Sequence, residues 1–201
     1  AFITGDIFNL YVWYEVMLTS SFVLIALGGS AEQLRGSIKY VTINFVASIF
    51  FVAAIGILYG QVGTLNMADL AAKMRTWDDG SYINGALMLF FIAFSVKSAL
   101  VPFFFWLPAS YHTPPIAITA LFAGTLTKVG VYTMFRFYSL FVVFDQQFWQ
   151  IFILTLAGLT MLVGVLMAAS QFDIRKILSS SIISQVGYMV MGLGIFTVSG
   201  I

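Results

Sequence analysis

The sequence predicts an all-α, polytopic membrane protein, and its composition and its apolar segments carry that prediction. Of the 201 residues, 61% are hydrophobic and 8% are charged, and the mean hydropathy is +1.00. Soluble domains are roughly 25% charged, so a soluble core could not bury this much apolar surface. Six segments reach the length of about 20 apolar residues that a membrane-spanning helix needs.

The six predicted spans form a single transmembrane domain. They cover about residues 6–27, 37–59, 82–107, 115–141, 148–169 and 174–198. Gly28, Gly29 and Ser30 end the first span, and Asp173 is positioned as an N-cap for the sixth. Between the second and third spans, residues 65–75 repeat apolar side chains at helical spacing, which predicts a short amphipathic helix at the membrane interface.

Charge and motif content exclude several classes of protein. The net charge is +1 and there are no cysteines, which argues against a nucleic-acid partner, disulfides and thiolate metal sites. The sequence contains no phosphate-binding loop, dinucleotide fingerprint or metal-ligand cluster, so we expect no cofactor, no metal and no catalytic site.

Because the sequence starts without Met and both ends are apolar, we expect an internal fragment of a longer protein.

Three ionisable residues lie within the apolar spans. Glu15 lies in the first span, Lys97 in the third and Lys128 in the fourth. A charge at the bilayer centre costs roughly 2.5–3.5 kcal/mol on insertion scales, so such residues are rare and usually functional. We therefore predict a proton relay. The alternative for Glu15 and Lys97 is a static buried ion pair that fixes helix packing.

The sequence next to Lys97 and the position of Lys128 in its span distinguish both residues from ordinary lysines at the ends of membrane helices. Pro102 follows Lys97 by five residues, and a proline there should kink or break the helix beside the lysine. An ordinary transmembrane proline kink is the alternative. Lys128 lies about 13 residues from either end of its span, which is ~20 Å and beyond the reach of a lysine that extends to the interface.

Three further polar residues are candidate accessory groups. His112, the only histidine, lies in the connection YHTPP and could titrate near neutral pH, although an exposed histidine without a role is equally compatible. On the sixth span Ser181 and Gln185 lie at helical spacing with Tyr188. This polar stripe either carries water or makes interhelical hydrogen bonds.

Two ordered motifs resemble a known family. The segment FSVKSALVPFFFWLPASYHTPP, followed by ALFAGTLTKVGVY, and the later DIRKILSSSIISQVGYMVMG resemble the proton-translocating antiporter-like family. This family includes large membrane-arm subunits of respiratory complex I, membrane-bound hydrogenase subunits, and Mrp-type Na+/H+ antiporter subunits. IKYVTINFVASIFF and YGQVGTLNMADL look most like the Mrp D subunit.

The resemblance implies a fold of about fourteen helices with inverted repeats, of which this chain would hold six. It implies that Glu15 and Lys97 are the functional pair and that Lys128 is the central relay lysine. The implied function is proton translocation in a multisubunit Na+/H+ antiporter of a prokaryotic cell membrane, with H+, Na+, lipid and other subunits as partners. The alternative is a membrane-arm subunit of NADH-quinone oxidoreductase or a hydrogenase. A scaffold bundle is the structural alternative.

Overall fold

The computed structural model confirms the predicted all-helical membrane class, and it describes residues 1–75, 81–142 and 145–197. Within these ranges six helical segments are long and apolar enough to cross a membrane. They are Ile7–Ala26, Ala31–Val62, Ile83–Tyr111, Ile116–Phe141, Gln146–Ala169 and Ile174–Gly194. The last residues of the predicted sixth span, 195–198, lie beyond the end of its helix or outside the described residues.

Two of the six spans are composite. The α-helices are α1 (Ile7–Ala26), α2 (Ala31–Val62), α3 (Met67–Met74), α4 (Ser81–Ser98), α5 (Trp106–Tyr111), α6 (Ile116–Leu121), α7 (Thr127–Phe141), α8 (Gln146–Ala169) and α9 (Ile174–Gly194). A 3₁₀ turn at Phe103–Phe105 precedes α5. A π-helical turn at Phe122–Leu126 joins α6 to α7 within one continuous span.

The helix α2 begins earlier than residue 37, where the sequence predicted its start. Ser30 caps it by accepting from the backbone N–H of Gln33, and the Gln33 side chain returns to the Ser30 backbone, which completes a capping box. The polar segment 32–35, predicted as a connection, therefore forms the first turn of α2. At 32 residues α2 is about 48 Å long, so it extends beyond a hydrocarbon core of about 30 Å.

A short bridge joins the starts of α1 and α3. The backbone N–H of Ile7 donates to Leu65 O at 3.0 Å, and the N–H of Met67 donates to Gly5 O at 2.8 Å. Asp6 and Asn66, which form this bridge, also cap α1 and α3 with their side chains. The amphipathic helix expected at residues 65–75 is thus α3, and it is anchored to the first span.

Packing brings α1, α2, α4 and α7 around an aromatic core. Phe51 of α2 packs against Tyr14, Phe90 and Phe94 with ring centroids 5.3–5.6 Å apart, and Phe94 also packs on Phe137 of α7 at 5.2 Å. These rings are buried. The core therefore fixes α1, α2 and α7 around α4, which carries Lys97.

The antiparallel pair α8 and α9 is held at close range by glycines. A Cβ added at Gly164 would overlap the backbone of Ser184 on α9, and one added at Gly187 would lie 2.8 Å from Met161 N on α8. Small residues allow such close backbone approach between membrane helices.

Gly164→Ala should therefore weaken the protein. The added methyl group must separate α8 from α9, and overpacking of this kind costs roughly 1–3 kcal/mol. The matched control is Gly158→Ala on the same helix, where the new Cβ has no atom within 4 Å. Thermal unfolding of the purified protein in detergent should show a lower midpoint for Gly164→Ala alone. Equal midpoints for the two variants would contradict this account of α8–α9 packing.

Candidate functional site

Lys97 lies in the last turn of α4, where the membrane-spanning helix breaks. Its side chain is 7% exposed, and α4 ends at Ser98. Ala99 then adopts a left-handed conformation with φ of 60°. The carbonyl ends of the preceding turn carry partial negative charge, so the helix terminus itself favours a cation at this position.

Hydrogen bonds around Ala99 define how the helix ends. The N–H of Leu100 donates to Ser95 O at 2.9 Å, and the N–H of Ala99 donates to Val96 O at 3.2 Å. This pair of bonds is a Schellman motif, with Ala99 in the position that glycine usually takes. Beyond it, the N–H of Val101 donates to the Thr160 hydroxyl of α8 at 3.1 Å. The break therefore satisfies backbone groups within the protein, as membrane depth requires.

Pro102, the predicted cause of the break, lies four residues after the end of α4. In a continuous helix its ring would collide with the carbonyl of Ser98, which explains why the helix cannot extend through this segment. The chain resumes as the 3₁₀ turn and α5, whose Trp106 indole N–H donates back to Val96 O at 2.9 Å. The break thus spans residues 99–102 rather than a single kink at the proline.

Glu15 and Lys97 meet at the hydroxyl of Ser48. The Ser48 hydroxyl, on α2, donates to Glu15 Oε1, and Lys97 Nζ donates to Ser48 Oγ at 3.5 Å. Within the described chain, the two charged groups form no direct ion pair within 4 Å. The structure therefore brings the predicted pair together through a third residue.

Tyr14 is the second residue that joins the site. Its ring lies beneath the Lys97 ammonium, 5.5 Å from Nζ to the ring centroid, and it is stacked on Phe94. Its hydroxyl lies 2.8 Å from Thr133 Oγ1 and donates to Val129 O at 3.2 Å. Tyr14 therefore links the α1 segment that carries Glu15 with the α7 segment that begins beside Lys128.

Lys128 lies directly after the π-helical turn, at the start of α7, and it is half-buried. It lines a cavity of about 900 Å³, the Lys128 cavity, together with Tyr132, Arg136 and Tyr188. Other lining residues include Phe2 and Ser139, which lie at the start of the chain and near the end of α7. π-helical turns are frequent at functional sites, because they shift the register of the side chains that follow.

The two lysines lie on neighbouring helices that touch closely. A Cβ added at Gly130 of α7 would lie 3.3 Å from the carbonyl carbon of Lys97. Ser98 directly follows Lys97, and Thr127 directly precedes Lys128. Both hydroxyls are fully buried, and neither has a hydrogen-bond partner among the residues that the structure describes. Buried hydroxyls without a hydrogen-bond partner are uncommon in folded proteins.

A second cavity, the His112 cavity, collects the predicted accessory residues. His112, Ser181 and Gln185 line this space of about 1040 Å³. Its other polar lining residues include Glu32, Asp173 and Arg175, all close to the α1–α2 and α8–α9 connections. His112 donates its Nδ1 proton to Pro108 O at 2.6 Å when that nitrogen is protonated. Glu32, Asp173 and Arg175 thus lie at the opposite ends of the spans from Phe2 and Ser139.

The polar stripe of α9 reaches both cavities. Ser181 and Gln185 face the His112 cavity, and Tyr188, one turn further, faces the Lys128 cavity. In the described part of the chain, His, Asp and Glu side chains do not gather in groups of three that could hold a metal ion. The site therefore combines ionisable side chains with two cavities that have polar lining residues, and its described residues offer no cluster of metal ligands.

The sequence analysis did not identify Ser48 or Tyr14. One signal in the sequence could have indicated Ser48, because Ser37, Tyr40, Asn44 and Ser48 recur at spacings of three or four along one face of α2. This polar stripe points toward the pair. No comparable signal indicates Tyr14, whose role depends on contacts with α4 and α7.

Comparison with known proteins identifies the family of this fold. A family model described as "NADH:quinone oxidoreductase/Mrp antiporter, TM" matches residues 4–201. The Na(+)/H(+) antiporter D subunit of Alkalihalophilus pseudofirmus is 54% identical over 197 residues, which is 98% of this chain and 40% of that protein. The protein of the same name in Bacillus subtilis is 41% identical over all 201 residues and 41% of its own length.

Two solved structures of related membrane complexes contain chains with a similar fold. A chain of the Mrp complex from Dietzia sp. DQ12-45-1b is similar with a TM-score of 0.88 and 33% identity, over 96% of this chain and 36% of that one. A chain of the membrane-bound sulfane sulfur reductase, an archaeal respiratory membrane complex, has a TM-score of 0.90 and 31% identity, over 95% of this chain and 39% of that one. This chain spans about two fifths of the length of these relatives.

Tyr14→Phe tests the link between α1 and α7. The variant keeps the ring under Lys97 and removes only the hydroxyl that bonds Val129 and Thr133. Because Thr133 still donates to Val129 O at 2.7 Å, we expect a modest loss of stability, about 0.5–1.5 kcal/mol. Thermal unfolding in detergent measures it. Tyr132→Phe, which removes an exposed hydroxyl bonded to Phe2 O, is the control and should change stability less. A Tyr14→Phe midpoint equal to that of Tyr132→Phe would show that the buried hydroxyl does not hold the two helices together.

Proposed function

Because this chain belongs to the NADH:quinone oxidoreductase/Mrp antiporter family, we propose that it is the proton-translocating part of the D subunit in a multisubunit Na+/H+ antiporter. The membrane would be the prokaryotic cell membrane, and other antiporter subunits would be its partners. One observation carries the proposal: Glu15 and Lys97 meet through Ser48 at a helix break within the membrane. Two relatives named as antiporter D subunits, 54% and 41% identical, support the choice of system.

Charged groups that share a hydrogen-bonded contact can exchange protons. Lys97 is shielded from water by the aromatic core, and burial disfavours the charged form of any group. Glu15 and the C-terminal end of α4 favour that charge instead. The protonation state of Lys97 is therefore set by opposing effects, so that a change at one partner can shift the proton.

The route from Lys97 to Lys128 crosses the contact between α4 and α7. Gly130 brings the two backbones together, and the unpaired hydroxyls of Ser98 and Thr127 lie on the facing segments. A water held by these hydroxyls would connect the lysines by hydrogen bonds. In this proposal the proton passes along Glu15, Lys97 and Lys128.

In this proposal the two cavities serve the route as entry and exit on opposite sides of the membrane. His112, Ser181 and Gln185 line the cavity at the α8–α9 side, and Lys128 and Tyr188 line the other. In this proposal, His112, Ser181 and Gln185 are accessory groups that hold water and carry protons toward the relay.

A second candidate is a membrane-arm subunit of a redox-driven complex. The similarity to a chain of the membrane-bound sulfane sulfur reductase favours it, because that complex is described as respiratory. The same proton path would then be driven by redox chemistry in other subunits. Neighbouring genes separate the candidates: small antiporter subunits support the first, and flavin or iron–sulfur subunits support the second.

The pair is tested by Glu15→Ala and Lys97→Ala in the full-length complex. Each change removes a titratable group of the relay, so Na+-dependent proton movement in everted vesicles should fall to the level of vesicles without the complex. Complex abundance on immunoblots should stay near that of the wild type. Lys39→Ala, an exposed lysine on α2, is the control and should transport normally. Normal antiport in either relay variant would exclude the proposed role of that residue.

Lys128 allows charge and proton release to be separated. Arginine keeps the positive charge but does not release its proton at usable pH. Lys128→Arg should therefore assemble but transport as poorly as Lys128→Ala, and Lys39→Arg should match the wild type. A structural lysine predicts the reverse order, with arginine active and alanine poorly assembled. Antiport rate and complex abundance measured together distinguish these outcomes, and wild-type transport by Lys128→Arg would rule out the relay role.

A further inference from the structure

Ser48 occupies the only place where the predicted pair makes contact in the described structure. It lies in the middle of α2 and its side chain is 4% exposed. Glu15 reaches it from α1 and Lys97 reaches it from α4. The three helices therefore converge on one hydroxyl group.

The Ser48 hydroxyl accepts one hydrogen bond and donates another, each with a different residue. A serine hydroxyl has one proton to donate and two lone pairs that accept. Lys97 Nζ can only donate, so it uses a lone pair of Ser48 Oγ at 3.5 Å. The carboxylate of Glu15 accepts the Ser48 proton. A second acceptor, Asn44 O, lies 3.1 Å from the same oxygen.

We propose that Ser48 carries the proton between Lys97 and Glu15 through its own hydroxyl. This inference rests on the proposed function, in which the two residues exchange a proton. It adds that their exchange needs the hydroxyl of a third residue, which receives a proton on one side and releases one on the other.

The transfer is balanced at each atom. As the Nζ–H bond of Lys97 breaks, that proton forms a bond to Ser48 Oγ, and the original hydroxyl proton passes from Oγ to Glu15 Oε1. Lys97 becomes neutral, Glu15 becomes a neutral carboxylic acid, and Ser48 is again a hydroxyl. Ser48 can then turn its new proton to Asn44 O and accept from the protonated Glu15. The reverse sequence restores the charged pair.

The arrangement also prevents a direct ion pair. Two opposite charges in contact at low dielectric attract strongly, and the attraction weakens with distance. An intervening hydroxyl keeps the charges apart but leaves them connected by hydrogen bonds. Charge separation of this kind lets Lys97 and Glu15 lose their charges without breaking a tight contact.

The alternative is a structural serine that bonds only to its own helix. Serine hydroxyls in membrane helices commonly donate to the carbonyl four residues earlier. Ser37, on the same helix and 1% exposed, does this by donating to Gln33 O at 2.7 Å. Ser37 is therefore a matched control for loss of a buried hydroxyl that lies away from the pair.

The decisive comparison is Ser48→Thr against Ser48→Val in the full-length complex. Threonine and valine have nearly the same shape, and only threonine keeps the hydroxyl. We expect Ser48→Thr to retain most of the Na+-dependent proton movement in everted vesicles and Ser48→Val to lose it. Ser37→Val and Ser37→Thr should behave alike. Complex abundance is measured for every variant on immunoblots.

Equal transport by Ser48→Thr and Ser48→Val, at any level, would overturn the proposal, because the hydroxyl would then make no difference. If Ser48→Val fails to assemble, Ser48→Ala replaces it and is compared with Ser37→Ala; wild-type transport by Ser48→Ala overturns the proposal in the same way. Failure of the proposed function looks different. It requires that Glu15→Ala or Lys97→Ala transports normally, whereas failure of the Ser48 relay alone leaves those variants inactive.

Discussion

The burial of the Lys97 ammonium group at membrane depth is the constraint on which the rest of this structure depends. An isolated charge there is unfavourable, so every element around it supplies compensation. The C-terminal end of α4 provides partial negative charge, Tyr14 provides the face of its ring, and Ser48 provides an acceptor that leads to Glu15. Tyr14 and Ser48 lie on two different helices, α1 and α2. The contacts that surround one ammonium group thus add to the aromatic core that packs α1 and α2 against α4.

The helix break follows from the same constraint. A lysine in mid-helix would face side chains alone, whereas a lysine in the last turn also faces the carbonyl end of its helix. The break exposes backbone groups, and the protein satisfies them within itself: Ala99 and Leu100 close a Schellman motif, and Thr160 of α8 accepts from Val101. The contact with α8 connects the break to the tight α8–α9 pair. Rigid packing far from Lys97 therefore supports the position of its charge.

Sequence patterns predicted the parts of this site that differ from an ordinary membrane helix. Glu15, Lys97 and Lys128 are visible because a charge among apolar residues is rare, and Pro102 indicates a break because its ring excludes a continuous helix. The bounds of α2 were less well predicted, because the capping box at Ser30 extends it into a polar segment. The contacts of Ser48 and Tyr14 could not be predicted, since serine and tyrosine are common in such helices and their roles arise from neighbours on other helices. The grouping of His112 with Ser181 and Gln185 likewise depends on how α5 and α9 pack.

The geometry also favours proton exchange over a purely structural role for the charges. A pair that serves only to hold two helices together is strongest when the ammonium and carboxylate groups touch and their remaining valences are satisfied. Here the two groups are separated by a hydroxyl that has a second acceptor within reach, and Lys128 faces an open cavity. Such spacing reduces the attraction between the two charges. A purely structural pair would gain nothing from this reduction. In the proposed relay the spacing would leave each group able to change its protonation state. Polar-lined cavities near opposite ends of α9, one of which Lys128 lines, would in the proposed relay serve proton entry and exit, for which a static pair has no need.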